Sequence, residues 1–438
     1  DAFVGNPPFM GGRMIGRAFG QDYYEFLDYL RNFVIGSPDL CAYFLLRAFN
    51  LLIDSGSFGL LTTKTISETG TRVVCLDQII SFGGVIFRAF SRMKWPGMAS
   101  VFVALIHIFK GEWLGKCTLD EIIVKSINGG LEESFVDAMP YKLLAMKGRY
   151  GQGQCLMDNG GFQLTDVERK NLITMDPKNS ELIQPLFNGK DLNNLFEFIP
   201  YRWVINFRQM EEKVARNYNI AFDYVKNHVK EYRDNLTGQI HEKRYWLFWD
   251  YRKNLIQEIT NHEKVLASSR HTKFVSFRRV PTNAVYTEAT KLYLFFESWE
   301  FAVLQSSFHQ EWAAWRSATL GSTTFAYSTS ECLETWSMPL VDKSILLSDC
   351  SKIGDAYDNH REMVMSNHKL GLTELYNRFH NPKETAADIQ KLRELHVEMD
   401  EAVAAAYGWQ DLKLQHGFHD TKQGLRYTIS EAARREVL

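Results

Sequence analysis

A chain of 438 residues is long enough for two or three domains, and its 45% hydrophobic content can fill their cores. The formal net charge of −2 excludes a uniformly basic protein, so any nucleic-acid surface must be a local patch. The cysteines are scattered without a C-x-x-C pair, which argues against a structural metal and for a reducing compartment. No apolar run approaches the roughly 20 residues that cross a bilayer, so we expect no membrane contact.

The chain opens with a short apolar strand that ends in Asn6-Pro7-Pro8-Phe9. Two consecutive prolines fix φ and remove backbone donors, so the chain leaves the sheet in one rigid conformation. Ligands of open α/β sheets bind at such strand ends. Asn6 and the Pro7 carbonyl can accept the NH₂ hydrogens of a planar ring there, while Phe9 stacks on its face. The alternative is a proline-terminated strand whose Phe9 belongs to the core.

Strand and helix signals alternate along residues 1–110, as a parallel sheet requires. Residues 22–33 predict a helix, and Ser37-Pro38-Asp39 predicts the cap of a second one. The next signals predict strands at 56–62 and 101–109. Between them, the basic and aromatic residues 85–96 predict a hairpin or loop near the substrate.

Glycines are frequent in residues 148–161, but the G-x-x-x-x-G-K-[ST] pattern of a phosphate loop is missing, so we interpret this stretch as a linker. Residues 181–340 interleave aromatic and basic side chains, with strand signals at 264–270 and 273–280. Lysine and arginine bind phosphates and can read base edges. The candidate DNA contacts are Lys243, Arg244, Arg270, Lys273, Arg278 and Arg279. For the cluster at 273–279, a solvated face explains the charges equally well.

The remainder, residues 345–438, is predicted to be mostly helical. Apolar residues form one stripe of a long helix between Ile389 and Ala406. Gly408 suits the left-handed position that follows a helix. Arg393 belongs to the charged outer face, for which solvated surface is the simplest interpretation.

Asn-Pro-Pro-aromatic after an apolar strand resembles the catalytic motif of amino-group methyltransferases that use S-adenosylmethionine, above all the adenine-N6 DNA methyltransferases. Further segments stand in the order found in the large bacterial methylases of MmeI-like restriction–modification systems and of BREX- and DISARM-type phage defence. These segments are residues 39–44, 56–62, 95–101, 187–192, 201–207, 304–309, 372–377 and 406–409. The resemblance covers nearly the whole chain.

The resemblance implies an α/β fold with added domains. Residues 1–112 are expected to form part of a class I, Rossmann-like methyltransferase sheet, followed by a connecting segment at 113–180. A mixed α+β target-recognition domain is expected at 181–342 and a helical region at 343–438. The glycine-rich loop for the cofactor's methionine part lies upstream of the Asn-Pro-Pro motif in this arrangement. We therefore expect the chain to be a fragment that is inactive by itself.

The implied activity is site-specific transfer of a methyl group from S-adenosylmethionine to adenine N6 in double-stranded DNA, with the base flipped out of the duplex. The implied setting is the bacterial cytoplasm, in restriction–modification or phage defence, with other subunits of a defence system as possible partners. The alternatives are an RNA or protein amino-group methyltransferase, and a non-catalytic DNA-binding or assembly subunit.

The family pattern also suggests individual roles. Asn6, Pro7, Pro8 and Phe9 correspond to the catalytic motif, and Phe9 supplies one stacking face. The second face comes from an aromatic residue in a later loop, for which Phe87 and Trp95 are both candidates. Asp39 matches a position near the cofactor adenosine, although a helix N-cap explains it equally well.

Overall fold

The computed structural model describes residues 2–30, 36–95, 102–133, 140–236, 244–320, 324–339, 344–421 and 423–438. The chain forms two compact units, Asp1–Pro140 and Tyr141–Leu438. The segment predicted as a connector, residues 113–180, is thus divided between them. No helix in the described ranges is both long enough and apolar enough to cross a membrane.

The first unit combines one sheet with short helices. Its strands are β1 (Ala2–Gly5), β2 (Ser57–Thr63), β3 (Gly84–Lys94), β4 (Phe102–Lys110), β5 (Cys117–Leu119) and β6 (Ile122–Val124). Its helices are α1 (Gly12–Phe19), α2 (Gln21–Leu30), α3 (Leu40–Leu51), α4 (Thr69–Arg72) and α5 (Leu76–Ser81), with a 3-10 turn at Lys64–Ser67.

The strand order of this sheet is β1-β2-β4-β3-β5-β6. β1 and β2 are parallel, joined through α1, α2 and α3. β4 is antiparallel to both β2 and β3, so β3 runs in the same direction as β1 and β2. The carboxyl ends of these three strands therefore lie at one edge of the sheet. Ligands of open α/β sheets bind at such an edge.

Alternation along the strands explains the core of the first unit. Ala104, Ile106 and Ile108 of β4 are completely buried against α3 and α5 residues such as Leu45 and Ile79. The prediction of a hairpin or loop at 85–96 was wrong, because β3 continues to Lys94 with two register shifts. Its aromatic and β-branched residues favour a strand, and the bulges accommodate the charged ones.

The second unit is larger and mixed. Its strands are β7 (Tyr150–Gln152), β8 (Gln163–Leu164), β9 (Ile183–Phe187), β10 (Trp203–Ile205), β11 (Lys264–Ser269), β12 (His271–Thr272), β13 (Arg278–Pro281), β14 (Val285–Tyr286), β15 (Thr290–Tyr293), β16 (Ala318–Leu320), β17 (Thr324–Ala326), β18 (Gly417–Thr421) and β19 (Gly424–Thr428). Short 3-10 helices lie at Leu144–Met146 and Pro177–Glu181.

Its α-helices are α6 (Asp166–Met175), α7 (Gly189–Asn194), α8 (Glu212–Ala215), α9 (Asn219–Asp234), α10 (Lys253–Ile259), α11 (Ser298–Gln305), α12 (Ser307–Arg316), α13 (Thr329–Cys332), α14 (Ser344–His368), α15 (Leu372–Phe379), α16 (Ala387–Tyr407) and α17 (Glu431–Val437). The strands form sheets ordered β14-β9-β10-β8, β13-β11-β15-β7, β12-β17-β16 and β18-β19.

The glycine-rich stretch at 148–161 belongs to this fold and is not a free linker. β7 lies within it and pairs with β15. A Cβ atom on Gly153 would lie 2.2 Å from the Thr287 carbonyl oxygen, so only glycine permits this backbone approach.

The helical prediction for the C-terminal region is confirmed at α16, whose stripe from Ile389 to Ala406 is buried. Gly408 follows it with φ 83°, as predicted for that position. Arg393 was wrongly placed on a solvated face. Its side chain is 4% exposed and donates to the carbonyl oxygens of Phe379, Asn381 and Glu384, which hold the guanidinium inside the fold. The region also contains the hairpin β18–β19, which the helical pattern did not predict.

Candidate functional site

The Asn6-Pro7-Pro8-Phe9 motif follows β1 directly, at the edge where β1, β2 and β3 end. Pro7 is buried and anchors the turn, whereas Asn6 is exposed and Phe9 is 38% exposed. The Asn6 side chain makes no hydrogen bond to any residue in the described ranges. The edge thus presents an amide and an aromatic ring whose binding groups are open to a ligand.

Asp39 fixes the loop that follows this motif. Its Oδ1 accepts the backbone N–H groups of Met10 and Cys41, both at 3.1 Å, and the Leu40 N–H donates to the Met10 carbonyl at 2.8 Å. The side chain caps α3, as one of the two sequence interpretations proposed. This geometry makes Asp39 a positioning residue for the loop that follows the motif.

Close backbone packing holds the same loop from the other side. A Cβ atom on Gly12 would lie 2.5 Å from Ser37 Oγ and 2.6 Å from the Pro38 carbonyl oxygen, so glycine is needed where α1 begins. Cys41 lies beside this turn, but burial and then the Asp39 charge raise the pKa of its thiol to about 12. The thiol therefore stays protonated and unreactive.

The two candidates for the second stacking aromatic lie at different places on the sheet. Trp95 directly follows β3 and is only partly buried, so it lies at the edge that carries Asn6 and Phe9. Phe87 is within β3, where its ring stacks on Trp113 with centroids 4.4 Å apart. Trp95 shares the edge with the motif, whereas the Phe87 ring already has an internal partner.

Two of the predicted DNA contacts, Arg278 and Arg279, are held inside the second unit. Arg278 is 1% exposed and donates to the Leu195 carbonyl at 2.6 Å and to Glu362 at 2.7 Å. Arg279 donates to Asp355 at 2.8 Å, and Asp358 lies 3.3 Å away. The expected DNA contacts do not fit this placement, because carboxylates and carbonyls of the same unit already occupy both guanidinium groups.

The other basic candidates lie nearer the surface. Arg244 and Arg270 are exposed, and Lys273 donates to Asn377 Oδ1 at 2.6 Å. Lys243 lies outside the described residues. The candidate DNA contacts therefore fall into two groups in the structure, internally paired arginines and cations nearer the surface, although the sequence analysis treated them as one set.

The sequence analysis missed Lys291, a cation whose charge interacts with that of Arg270. Arg270 follows β11, and Lys291 lies on the neighbouring strand β15 in register with Ser268. Burial lowers the pKa of Lys291, and the charges of Arg270 and Arg252 lower it further. Within the described ranges, neither Arg270 nor Lys291 has a carboxylate within 4.0 Å. The alternation of side chains along β15 could have revealed Lys291, because Lys291 points away from the face of the sheet that buries Leu292.

A groove of about 460 Å³ lies beside the turn that leads into β15, the strand of Lys291. Ala289 lines the groove and its carbonyl oxygen accepts the Arg270 N–H at 2.9 Å. Polar side chains capable of contacting base edges also line it, among them Asn159, Gln163 and Lys190, together with the acidic residues Asp158 and Glu288. Asn159 has a φ of 50°, a backbone conformation that non-glycine residues adopt at some cost. No group of His, Cys, Asp and Glu suited to a metal ion occurs in the described part of the chain.

The comparison with protein families agrees with the boundary between the two units at residues 140 and 141. The family model described as "MmeI, target recognition domain" matches residues 137–340. None of the curated proteins compared with the chain matches it. The solved structure of the type IIL restriction-modification enzyme MmeI in complex with DNA aligns with a TM-score of 0.70 at 19% identity, covering 96% of this chain and 55% of that one. The type IIG restriction endonuclease BpuSI aligns with a TM-score of only 0.30 at 10% identity, over 93% and 54% of the two chains.

At 19% identity, the MmeI alignment establishes a common fold. The chain spans about half of the MmeI chain, 55% of its length. The family match begins at residue 137, within the segment expected as a connector, and ends at 340, close to the expected end of the recognition domain at 342. These matches support the MmeI-like part of the resemblance.

Proposed function

We propose that this chain is part of a DNA methyltransferase of restriction–modification type, which transfers a methyl group to adenine N6. The placement of Asn6 and Phe9 carries the proposal. Both are exposed at the edge where β1, β2 and β3 end, on a turn whose Pro7 is buried and whose following residue is held by Asp39. The parallel pair β1–β2 with its helical crossover agrees with the Rossmann-like sheet that the resemblance implies.

Adenine's exocyclic amine is a poor nucleophile, because its lone pair is delocalised into the ring. If Asn6 Oδ1 and the Pro7 carbonyl each accept one N–H of that amine, they favour its pyramidal form and aim the lone pair. The contribution is orientation together with preorganised dipoles. The base must leave the duplex to reach these groups, and Phe9 with Trp95 would hold it by stacking.

S-adenosylmethionine would supply the transferred methyl group. Asp39, the residue of this chain that the family pattern places near the cofactor, already uses Oδ1 to accept two backbone amides. These two bonds give Asp39 a positioning role, and we base no cofactor contact on it. Its own contribution is to hold and orient the target base.

The second unit would provide the DNA surface. Arg270 and Lys291 repel each other, and no carboxylate of a described residue lies within 4.0 Å of either, so a DNA phosphate would relieve an unfavourable arrangement. The adjoining groove with Asn159 and Gln163 offers donors and acceptors for base edges. The match of residues 137–340 to a target recognition domain supports this assignment.

The test is incorporation of tritiated methyl groups from S-adenosylmethionine into duplex DNA by the full-length protein. Asn6→Ala should reduce the rate at least about 100-fold, as expected when an oriented polar contact to the transition state is removed. Asn50→Ala is the matched control, because Asn50 is an exposed asparagine of the same unit, near the end of α3. It should leave the rate unchanged.

Two results would refute the proposal. One is the absence of incorporation across duplexes of varied sequence, and the other is incorporation that Asn6→Ala does not change. Salt-sensitive DNA binding without any methylation would favour the non-catalytic DNA-binding subunit instead.

A further inference from the structure

A small basic cavity lies in the second unit, between the segment that follows β12 and the hairpin β18–β19. Its volume is about 40 Å³. The side chains of its wall that matter here are Lys273, Phe274, Glu311, His380 and Arg426. The resemblance to known methylases assigned no role to this hairpin.

Arg426 has an unsatisfied donor in this cavity. The residue lies on β19 opposite His419, and its guanidinium carbon is 5.0 Å from the centre of the Phe274 ring. Nη1 donates to the Leu425 carbonyl at 3.0 Å, whereas Nη2 is buried and has no hydrogen-bond partner in the described ranges. A buried unpaired N–H costs free energy, so an acceptor that entered the cavity and reached this atom would remove that cost.

Positive charge is concentrated around the same ring. Lys273 Nζ lies 5.2 Å from the Phe274 ring centre, and His380 stacks on that ring with centroids 5.1 Å apart. Burial lowers the pKa of His380 well below its ordinary value, and Arg426 and Lys273 are among the cations that lower it further. Within the described ranges no carboxylate lies within 4.0 Å of Lys273 or Arg426.

One acidic side chain, Glu311, also lines the cavity. Burial raises the pKa of Glu311 to about 7, although Arg434 and a hydrogen bond from Thr428 act in the opposite direction. Glu311 is therefore protonated more readily than an exposed glutamate, and its protonated form can donate a hydrogen bond to an anion. Glu311 thus weakens the positive character of the cavity without reversing it.

We propose that this cavity binds a phosphate of the DNA backbone, so that the hairpin β18–β19 extends the DNA surface of the second unit into the C-terminal region. The inference rests on the proposed DNA-binding function. A water molecule needs roughly 10–15 Å³ of such space, so about 40 Å³ admits phosphate oxygens but no base. The site would therefore contribute affinity and register without reading sequence.

The experiment measures binding of the 438-residue chain to a short duplex by fluorescence anisotropy at several salt concentrations. Losing one phosphate contact lowers the slope of log K against log salt by about 0.9 and the affinity by about eightfold near 0.1 M salt. Arg426→Gln and Lys273→Gln should each show this loss. Glu311→Gln should bind more tightly at pH 8, because it removes a negative charge.

Lys352→Gln is the control for removing a single positive charge. Lys352 is exposed on α14 and already pairs with Asp349. It should leave the slope unchanged. Circular dichroism of each variant shows that it is folded, and Lys273→Gln provides a second test if Arg426→Gln does not fold.

The outcomes separate this inference from the proposed function. If the unaltered chain does not bind the duplex, the DNA-binding assignment itself fails. If the unaltered chain binds, and a folded Arg426→Gln and Lys273→Gln keep the same slope and affinity, the cavity is not a phosphate site while the proposed function stands.

Discussion

Two groups of cations in the second unit differ in their partners. Arg278 and Arg361 are buried, and carboxylates with backbone carbonyls surround them. Arg270 and Lys291 lie on adjacent strands, and within the described ranges no carboxylate lies within ion-pair distance of either. The first group holds α14 to the sheets, whereas the second is left to interact with something outside the unit. The position of acidic partners therefore distinguishes internally paired cations from cations that are available to an external ligand, which the density of basic residues along the chain does not.

Removing a buried cation should have the largest effect on stability. Arg361 is completely buried and donates to Asp358 at 2.6 Å and to the Phe277 carbonyl at 2.8 Å. Arg361→Met leaves both acceptors without this donor, so the free energy of unfolding should fall by about 3–5 kcal/mol. Urea denaturation followed by tryptophan fluorescence measures this change.

Arg270→Met is the matched control, and its effect should stay within about 0.5 kcal/mol because the side chain is exposed. Equal losses in the two variants would remove the distinction between the groups.

The buried region should also lose stability in mild acid. Burial lowers the pKa of His309 from 6.5 to about 3. The unfolded chain therefore binds the proton first, and stability falls as the pH drops below 6.5 and continues to fall towards 3. Between about pH 7 and pH 5, this one histidine should cost about 2 kcal/mol of unfolding free energy.

The measurement is the unfolding free energy of the native chain and of His309→Gln at several pH values. The variant should show a shallower dependence, by about one proton, in this interval. An unchanged slope would show that His309 is already protonated in the folded protein or does not titrate with unfolding.

Arg270 and Lys291 should affect binding with little effect on stability. Arg270→Gln and Lys291→Gln should each weaken duplex binding about eightfold near 0.1 M salt and reduce the salt slope by about 0.9. Arg279→Gln, which breaks the internal pairs with Asp355 and Asp358, should lower stability and leave the salt slope unchanged. The reverse pattern would mean that Arg279 turns outward to DNA and that Arg270 and Lys291 do not bind it.

The smallest expected effect concerns Asp39. It tests whether this buried carboxylate stabilises the first unit as buried carboxylates stabilise the second. Asp39→Ala removes the acceptor for the Met10 and Cys41 amides, at a cost of about 1 kcal/mol. The Met10 amide hydrogen should therefore exchange about fivefold faster. Asp39→Asn keeps an acceptor and should show a smaller change. Equal exchange rates in all three proteins would show that Asp39 does not hold the loop.

Features that depend on neighbours in sequence could be predicted from the sequence. The cap at Asp39 and the end of α16 at Gly408 follow from residues within one helical turn. The same holds for the abrupt end of β1, which two prolines impose within the motif itself. In these places local chemistry alone determines the structure.

The sequence could not predict which basic residues are paired inside the fold, because their partners are distant in the sequence. Glu362 lies 84 positions from its partner Arg278. Arg393 on α16 donates to the carbonyl oxygen of Phe379, which belongs to another helix, α15. A basic cluster in a sequence has the same pattern whether acidic residues reach it in the fold or not. For the aromatic residues, the stacking of Phe87 on Trp113 distinguishes Phe87 from Trp95, and that contact also joins residues that are distant in sequence.

The identity of the methylated nucleoside is the sharpest test of the proposed adenine-N6 methyl transfer. Duplex DNA incubated with the full-length protein and S-adenosylmethionine is digested to nucleosides and analysed by mass spectrometry. We expect N6-methyladenine as the product, its loss with Asn6→Ala and its retention with Asn50→Ala. A methylated cytosine as the sole product, or N6-methyladenine formed equally well by Asn6→Ala, would refute the proposed adenine-N6 methyl transfer.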